Sequence, residues 1–288
     1  MSLVLDDLAG AVLAPATPDE LVPPPRFAHK GFAEYRVDPA IAAQAEAVTQ
    51  VRRFATAAPS LLQRLGLRQR ARPGLYLDGG FGVGKTHLLA ASFHAATGVR
   101  RYLSFAEAIS LVVLHGARRA AQLIAGDLVC LDEFELDDPA NTRLADLLLD
   151  ELIAEGARII TTSNTVPGEL GVGRVAVDQF RGQLARIADR FTSINVPGSD
   201  FRRNTALPGD PLGWGASSAL HGDGTTLDAE ALDALLSRIP VANLGRLAAR
   251  LPLLNLIGLR PFTDQLAALR FVNLIDKLYD WCTRLRVR

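Results

Sequence analysis

Three clusters in this sequence have the residue types and spacing to handle a phosphate chain. The first is GGFGVGKTHLL, where Gly79, Gly84, Lys85 and Thr86 fill the pattern GxxxxGK[ST]. Glycines let a loop curl until its N–H groups face an anion. The lysine reaches the β- and γ-phosphates of a nucleotide, and the threonine hydroxyl suits Mg2+. The expected nucleotide contacts are therefore Gly79, Gly80, Phe81, Gly82, Val83, Gly84, Lys85, Thr86 and His87, with Thr86 as a metal ligand. The alternative, a tight glycine-rich turn, is weakened by the apolar GLYL run before the loop and the helix-like HLLAASFHA after it.

The second cluster is LVCLDEF. Asp132 ends an apolar run, where a carboxylate orients Mg2+ through water, and Glu133 follows it, where a carboxylate polarises an attacking water. The third is ARIITTSN. If its strand lies between the other two, Asn164 is placed to orient the lytic water or bind the γ-phosphate, although TSN also makes an ordinary turn before Pro167. A hydrolytic site in a ring or dimer is often completed by a guanidinium from a neighbouring subunit that stabilises transition-state charge. Arg174, Arg181, Arg186 and Arg190 follow the third cluster, and Arg174 and Arg181 are the candidates to act in trans. Most arginines on such a helix are solvated or salt-bridged. Arg270, late in the chain, is the candidate to act in cis, against the plainer reading of helix-surface charge.

These residues need strands to hold them. Short apolar segments alternate with helix-like stretches from Gly74 to about Val196, the pattern of an α/β unit with a parallel sheet. Strands are expected at Gly74–Leu77, Arg101–Phe105, Leu128–Leu131, Ala157–Thr162 and Thr192–Val196. Before them, TPDELVPPPRF cannot be a continuous helix and reads as an arm, while one or two helices are expected between Asp38 and about Leu65. Beyond them, Asp200 to Thr226 reads as loops around a marginal strand. Leu227–Leu236 and Thr263–Arg284 read as helices of a small, mainly helical subdomain. The expected division is an N-terminal arm with helices over 1–70, a P-loop core over 71–205 and a lid-like C-terminal subdomain over 206–288.

Composition narrows the function. The chain has 288 residues, 49% of them hydrophobic, and 31 basic residues balance 31 acidic ones, so no global positive charge argues for a protein that coats nucleic acid. Cys130 and Cys282 stand in no metal-ligand or disulfide-framework spacing. The N-terminus lacks the positive charge of a signal peptide, and no apolar run approaches the roughly 20 residues of a membrane span. The expected location is the cytoplasm.

From about Phe32 to Leu285 the sequence resembles the AFG1-like ATPases. The resemblance rests on GLYLDGGFGVGKTHL, LVCLDEFELDDPAN, IITTSNTVPGEL, the spacing from Phe180 to INV at Ile194 and DFR at Asp200–Arg202, and above all RFVNLIDKLYD at Arg270–Asp280. The first motif is generic to P-loop ATPases; the last is far more specific. The resemblance implies an AAA+ type core in which Lys85 and Thr86 match Walker A, Asp132 and Glu133 match Walker B, Asn164 matches a sensor and Arg270 matches the arginine before the FxxLID segment. The sequence also departs from the family's pattern. Gln179 stands where an arginine usually precedes the phenylalanine, with Arg181 just after it, and RRYLSF, including Ser104 and Phe105, replaces a histidine-bearing segment. The span from there to the second cluster is short, and no cysteine- and proline-containing segment is recognisable between Gly213 and Arg260.

The expectation is Mg2+-dependent ATP hydrolysis that moves the core against the C-terminal subdomain and so changes affinity for a protein partner. By resemblance, that partner belongs to the cell-division machinery at the inner face of the membrane, reached without a transmembrane segment, and homo-oligomers are the form in which trans arginines would act. Two alternatives stay open. One is a replication-type or helicase-loader ATPase that binds nucleic acid, since GVGKTHLL also resembles the phosphate loops of initiators and loaders. The other is an ATP-bound scaffold with slow turnover.

Overall fold

The computed structural model describes residues 2–13, 17–57, 72–136, 138–165, 177–201, 224–262 and 264–288, and the chain divides into two compact units. The larger, Thr17–Pro23 with Ala28–Thr205, is built on β1 (Gly74–Asp78), β2 (Arg100–Ser104), β3 (Leu128–Asp132), β4 (Arg158–Thr162) and β5 (Phe191–Asn195). Each strand starts and ends within one residue of its expected bounds. They form one sheet in the order β2-β3-β4-β1-β5, and every pairing is parallel. Parallel strands require crossovers that cover both faces, so their sequences read as unbroken apolar runs. All five residues of β1 and of β4 are buried accordingly. The consequence for function is the order itself. Because β4 is threaded between β1 and β3, the segments that follow these three strands emerge side by side on one edge of the sheet.

Local signals set where the helices begin. Helix Lys85–Ala95 starts directly after the phosphate loop, from Gly84 in a left-handed conformation. Helix Phe105–His115 starts on a capping box, in which the Ser104 hydroxyl accepts from the Glu107 N–H and the Glu107 carboxylate accepts from the Ser104 N–H. The serine that departs from the family pattern is thus a helix cap. Helix Pro139–Ala154 starts from Asp138, whose carboxylate accepts from the N–H groups of Ala140 and Asn141, with proline in the first turn.

The smaller unit comprises Met1–Ala16, Pro24–Phe27 and Ala206–Arg288. Helices Ala229–Arg238 and Gln265–Asp280 overlap the two expected segments, but Leu227 and Asp228 belong to a strand, Arg284 begins another, and helices Ser2–Leu13 and Leu244–Ala249 were not expected. The structure adds a three-stranded parallel sheet, β6 (Thr225–Asp228), β7 (Leu253–Ile257) and β8 (Arg284–Val287), in that order. Leu227, Leu232, Leu235, Leu247, Leu254 and Leu256 share its core with Val12 of helix Ser2–Leu13. The beginning of the expected N-terminal arm is therefore a helix packed into this unit. Among the described residues no helix is long and apolar enough to cross a membrane.

Arg158 joins helix Ala42–Thr56 to the sheet of the larger unit. It is buried, and its guanidinium donates to the carbonyls of Phe54 at 2.6 Å, Ala55 at 3.1 Å and Asp127 at 3.2 Å. A cation on the last carbonyls of a helix satisfies acceptors that no intrahelical donor reaches. Arg158→Leu leaves them without it, so the larger unit should lose about 3 kcal/mol of stability, roughly two charged hydrogen bonds. Urea unfolding measures that loss, and hydrogen exchange should show the amides of Ala42–Thr56 opening first.

Candidate nucleotide-phosphate site

The phosphate loop is held from both sides by segments remote in sequence. Gly79 has φ +143°, and a Cβ there would sit 2.4 Å from the Val196 carbonyl oxygen; Gly84 has φ +94°, with the Tyr35 ring 2.7 Å from a Cβ. Only glycine fits either place. On one flank, Tyr35 donates its hydroxyl to the Val83 carbonyl at 2.7 Å, and burial pushes that phenol up to about 12. His87, in the first turn of the helix, places Nε2 2.9 Å from the Gly31 carbonyl and packs edge-on against Tyr35. The buried Gln44 amide accepts from the Asp38 N–H and donates to the Pro197 carbonyl at 2.9 Å. On the other flank, Phe201 N–H donates to the Gly82 carbonyl at 3.2 Å, and Val196 N–H to the Asp78 carbonyl at 2.8 Å. Phe81, at the loop's tip, is 65% exposed.

Lys85 is buried, and its ammonium donates to the carbonyls of Gly79 at 2.8 Å and Gly80 at 2.7 Å and to Asn164 Oδ1 at 2.9 Å. The first and third clusters therefore meet. The second joins them through Asp132. Its Oδ1 accepts from the hydroxyls of Thr86, at 3.3 Å, and Thr162, and from the Glu133 N–H at 3.2 Å; its Oδ2 accepts from the Tyr102 hydroxyl at 2.7 Å. Glu133 is exposed and has φ +56°, a conformation that costs a residue with a side chain about 1 kcal/mol or more. Bonds on either side keep it there: Glu133 N–H also donates to the Thr162 hydroxyl at 3.0 Å, and Phe134 N–H donates to the Thr162 carbonyl at 2.7 Å, with the Phe134 side chain fully buried.

Two residues that sequence reasoning missed complete the frame. Glu135 accepts from the Ser163 hydroxyl at 3.1 Å, the Asn164 N–H at 2.9 Å and the Thr165 hydroxyl at 3.4 Å, fixing the loop that carries Asn164. The signal available was a third acid just beyond the adjacent pair. Tyr102 lies within the segment RRYLSF, where no local feature marks it as a donor to a carboxylate on the next strand.

The arginines are dispersed. Arg174 lies outside the described residues, and Arg181 is exposed on helix Val177–Asp189. Arg186 and Arg190 are turned to Asp146 of the neighbouring helix, with Arg190 also 2.5 Å from Asp150. Burial alone would raise the Asp146 carboxyl, but the two guanidinium groups outweigh it and hold the acid below its ordinary range. Arg270 is half-buried on helix Gln265–Asp280 of the smaller unit.

The oxygens at the head of the site suit Mg2+. Thr86 and Asp132 offer a hydroxyl and a carboxylate 3.3 Å apart, a small set of hard donors of the kind that leaves most of the coordination to water and phosphate. Among the described residues no group of three or more His, Cys, Asp or Glu could hold a metal ion unaided.

A parallel sheet with a phosphate loop after β1, an acidic pair after β3 and the intervening β4 ending beside them defines a P-loop core of AAA+ type. The chain belongs to the AFG1-like ATPase family, whose model matches residues 15–223. It is 30% identical over 145 residues to the cell division protein ZapE of Escherichia coli K12, covering 46% of this chain and 39% of that protein. It is 29% identical over 192 residues to the chromosomal replication initiator protein DnaA of Sphingopyxis alaskensis, covering 56% of this chain and 41% of that one. These matches span only about two-fifths of either relative. Among solved structures, that of DnaI superposes with a TM-score of 0.46 at 19% identity, over 64% of this chain and 98% of that one.

The His87 contact has a pH signature. Burial lowers its pKa from the ordinary 6.5. A basic group with a depressed folded-state pKa contributes stability that is full above about 6.5 and is lost as pH falls through the folded value. Imidazole resonances of His87 should therefore titrate with a midpoint below 6.5. Stability should decline between pH 7 and pH 5 less steeply in His87→Gln than in the wild type.

Proposed function

We propose that this protein is a Mg2+-dependent ATP hydrolase whose nucleotide state switches its grip on a macromolecular target. The observation that carries this reading is the convergence of Lys85, Thr86, Asp132 and Asn164, drawn from three separate segments, beside a loop in which Gly79 and Gly84 have no room for side chains. In this reading the loop and the N-terminus of helix Lys85–Ala95 bind the phosphates, and Lys85 neutralises charge on the β- and γ-groups. Bound Mg2+, held at Thr86 and through water at Asp132, would supply electrostatic stabilisation of the phosphate oxygens. Glu133 takes the proton of a water that attacks the γ-phosphorus in line with the departing ADP oxygen. Asn164 orients that water or the γ-phosphate, and Arg270 in cis and Arg174 or Arg181 in trans are the candidates to meet the transition-state charge.

Two targets fit an ATPase of this kind. The match to ZapE supports a protein partner in the division machinery, with the chain cytoplasmic and recruited to the inner membrane face. The longer match to DnaA favours the second reading, a replication-type or loader ATPase that contacts nucleic acid. In either case self-association would place a neighbour's arginine at the site.

Steady-state hydrolysis over a wide range of protein concentration, with nucleotide binding measured separately, tests the central claim. Lys85→Ala should lose nucleotide binding. Glu133→Gln should keep it while turnover falls at least about 100-fold, the usual loss of a general base. Single-stranded DNA that raises turnover several-fold selects the loader reading; turnover that rises with protein concentration and ignores DNA selects a self-assembled, protein-directed ATPase. Binding without wild-type turnover would point to a scaffold, and absence of both would overturn the proposal.

A further inference from the structure

Both oxygens of the Asp132 carboxylate are engaged. Oδ1 accepts from the Thr86 and Thr162 hydroxyls and the Glu133 N–H, and Oδ2 accepts from the Tyr102 hydroxyl at 2.7 Å. Tyr102 reaches it from the adjacent strand. In the β2–β3 register Tyr102 lies opposite Cys130 and Ser104 opposite Asp132, so the phenol spans the diagonal between neighbouring strands, a distance that suits a long aromatic side chain. The ring has little freedom to leave. It is 5% exposed, stands edge-on to Phe93 with centroids 6.3 Å apart, and its own N–H is bonded to the Leu21 carbonyl at 2.9 Å.

We infer that Tyr102 is a positioning residue for the metal-orienting carboxylate. Its hydroxyl engages Oδ2 and fixes the plane of the Asp132 carboxyl, so that Oδ1 faces Thr86. The donors on Oδ1 still let the group turn about that oxygen and swing Oδ2 toward a cation, whereas the Tyr102 bond occupies Oδ2 and leaves Oδ1 as the oxygen turned to the metal side, suited to an ion that keeps its waters. The second-strand tyrosine thereby sets how tightly Mg2+ is coupled to the nucleotide, without touching either. This inference rests on the Mg2+-nucleotide reading of the site.

Tyr102→Phe removes the hydroxyl and keeps the ring against Phe93. Binding of a fluorescent ATP analogue, measured in EDTA and across a Mg2+ titration, separates positioning from packing. In EDTA the variant should bind within about 2-fold of wild type. The Mg2+ concentration for half-saturation should rise about 10-fold, the worth of one hydrogen bond to a charged group. Turnover at saturating Mg2+ should stay within about 3-fold of wild type. In an Asp132→Asn background, adding Tyr102→Phe should move the Mg2+ midpoint no further. A wild-type Mg2+ midpoint in Tyr102→Phe, or equal weakening with and without Mg2+, overturns the assignment. A wild-type protein that binds nucleotide with no Mg2+ dependence overturns the metal-site reading itself, and the assignment falls with it.

Discussion

One carboxylate ties the site together. Asp132 ends β3, yet the hydroxyls that donate to it come from Thr86 in the helix after β1, Tyr102 on β2 and Thr162 on β4. Three segments of the larger unit thus converge on a pair of oxygens carried by a fourth. A partly buried anion needs its donors, and hydroxyls are the donors that satisfy it without placing a fixed cation where a metal would bind. The arrangement is available only because β4 lies between β1 and β3, a topological fact that brings Thr162 beside Asp132 and Asn164 beside Lys85. The neighbouring Glu133 follows from the same constraint. With Asp132 fixed on one side and Phe134 buried on the other, the intervening residue is held in a left-handed conformation and left exposed.

The phosphate loop shows the complementary strategy. Carbonyls of Gly82 and Val83 are engaged by Phe201 and Tyr35, and the loop's close approaches to Val196 and Tyr35 require glycine. Curvature of this kind does not arise from the loop alone. Gln44 spans the two flanking segments, accepting from Asp38 and donating to Pro197, so the loop is gripped by parts of the chain more than a hundred residues apart. A nucleotide that shifts the loop must also shift these flanks, which gives the proposed switch a mechanical route within the larger unit.

Much of this was legible in the sequence because its signals are local. Five apolar runs located the strands, GxxxxGK[ST] located the loop, and the adjacent acids located the end of β3. What was not legible depends on contacts across the sheet. Tyr102 and Glu135 look like unremarkable strand and loop residues until the strand order is known, and Tyr35 is fifty residues from the lysine whose loop it braces. The small sheet of the second unit was missed for a different reason. LLNLI in β7 is a short apolar run that fits a buried helix turn as well as a strand, and RLRV in β8 alternates charge with apolar residues over only four positions. Arg186 and Arg190 show the converse: a sequence full of arginines invites catalytic roles, whereas Asp146 accounts for these two structurally.

The bonds made by Lys85 bear on how such a site would respond to a nucleotide. Its ammonium is satisfied by two loop carbonyls and Asn164 Oδ1, so a phosphate that draws the lysine away must compete with three good acceptors. Two of those belong to the loop that the phosphate would enter, and the third belongs to Asn164. Glu135 holds the backbone of Asn164 through its N–H, independently of the lysine. Losing Lys85 therefore releases the Asn164 side chain without releasing its main chain, and the amide becomes available at a fixed position for water or phosphate. On the proposed reading, the same event that neutralises the phosphate charge arms the residue that orients the attack, and Glu135 keeps the two within reach of each other.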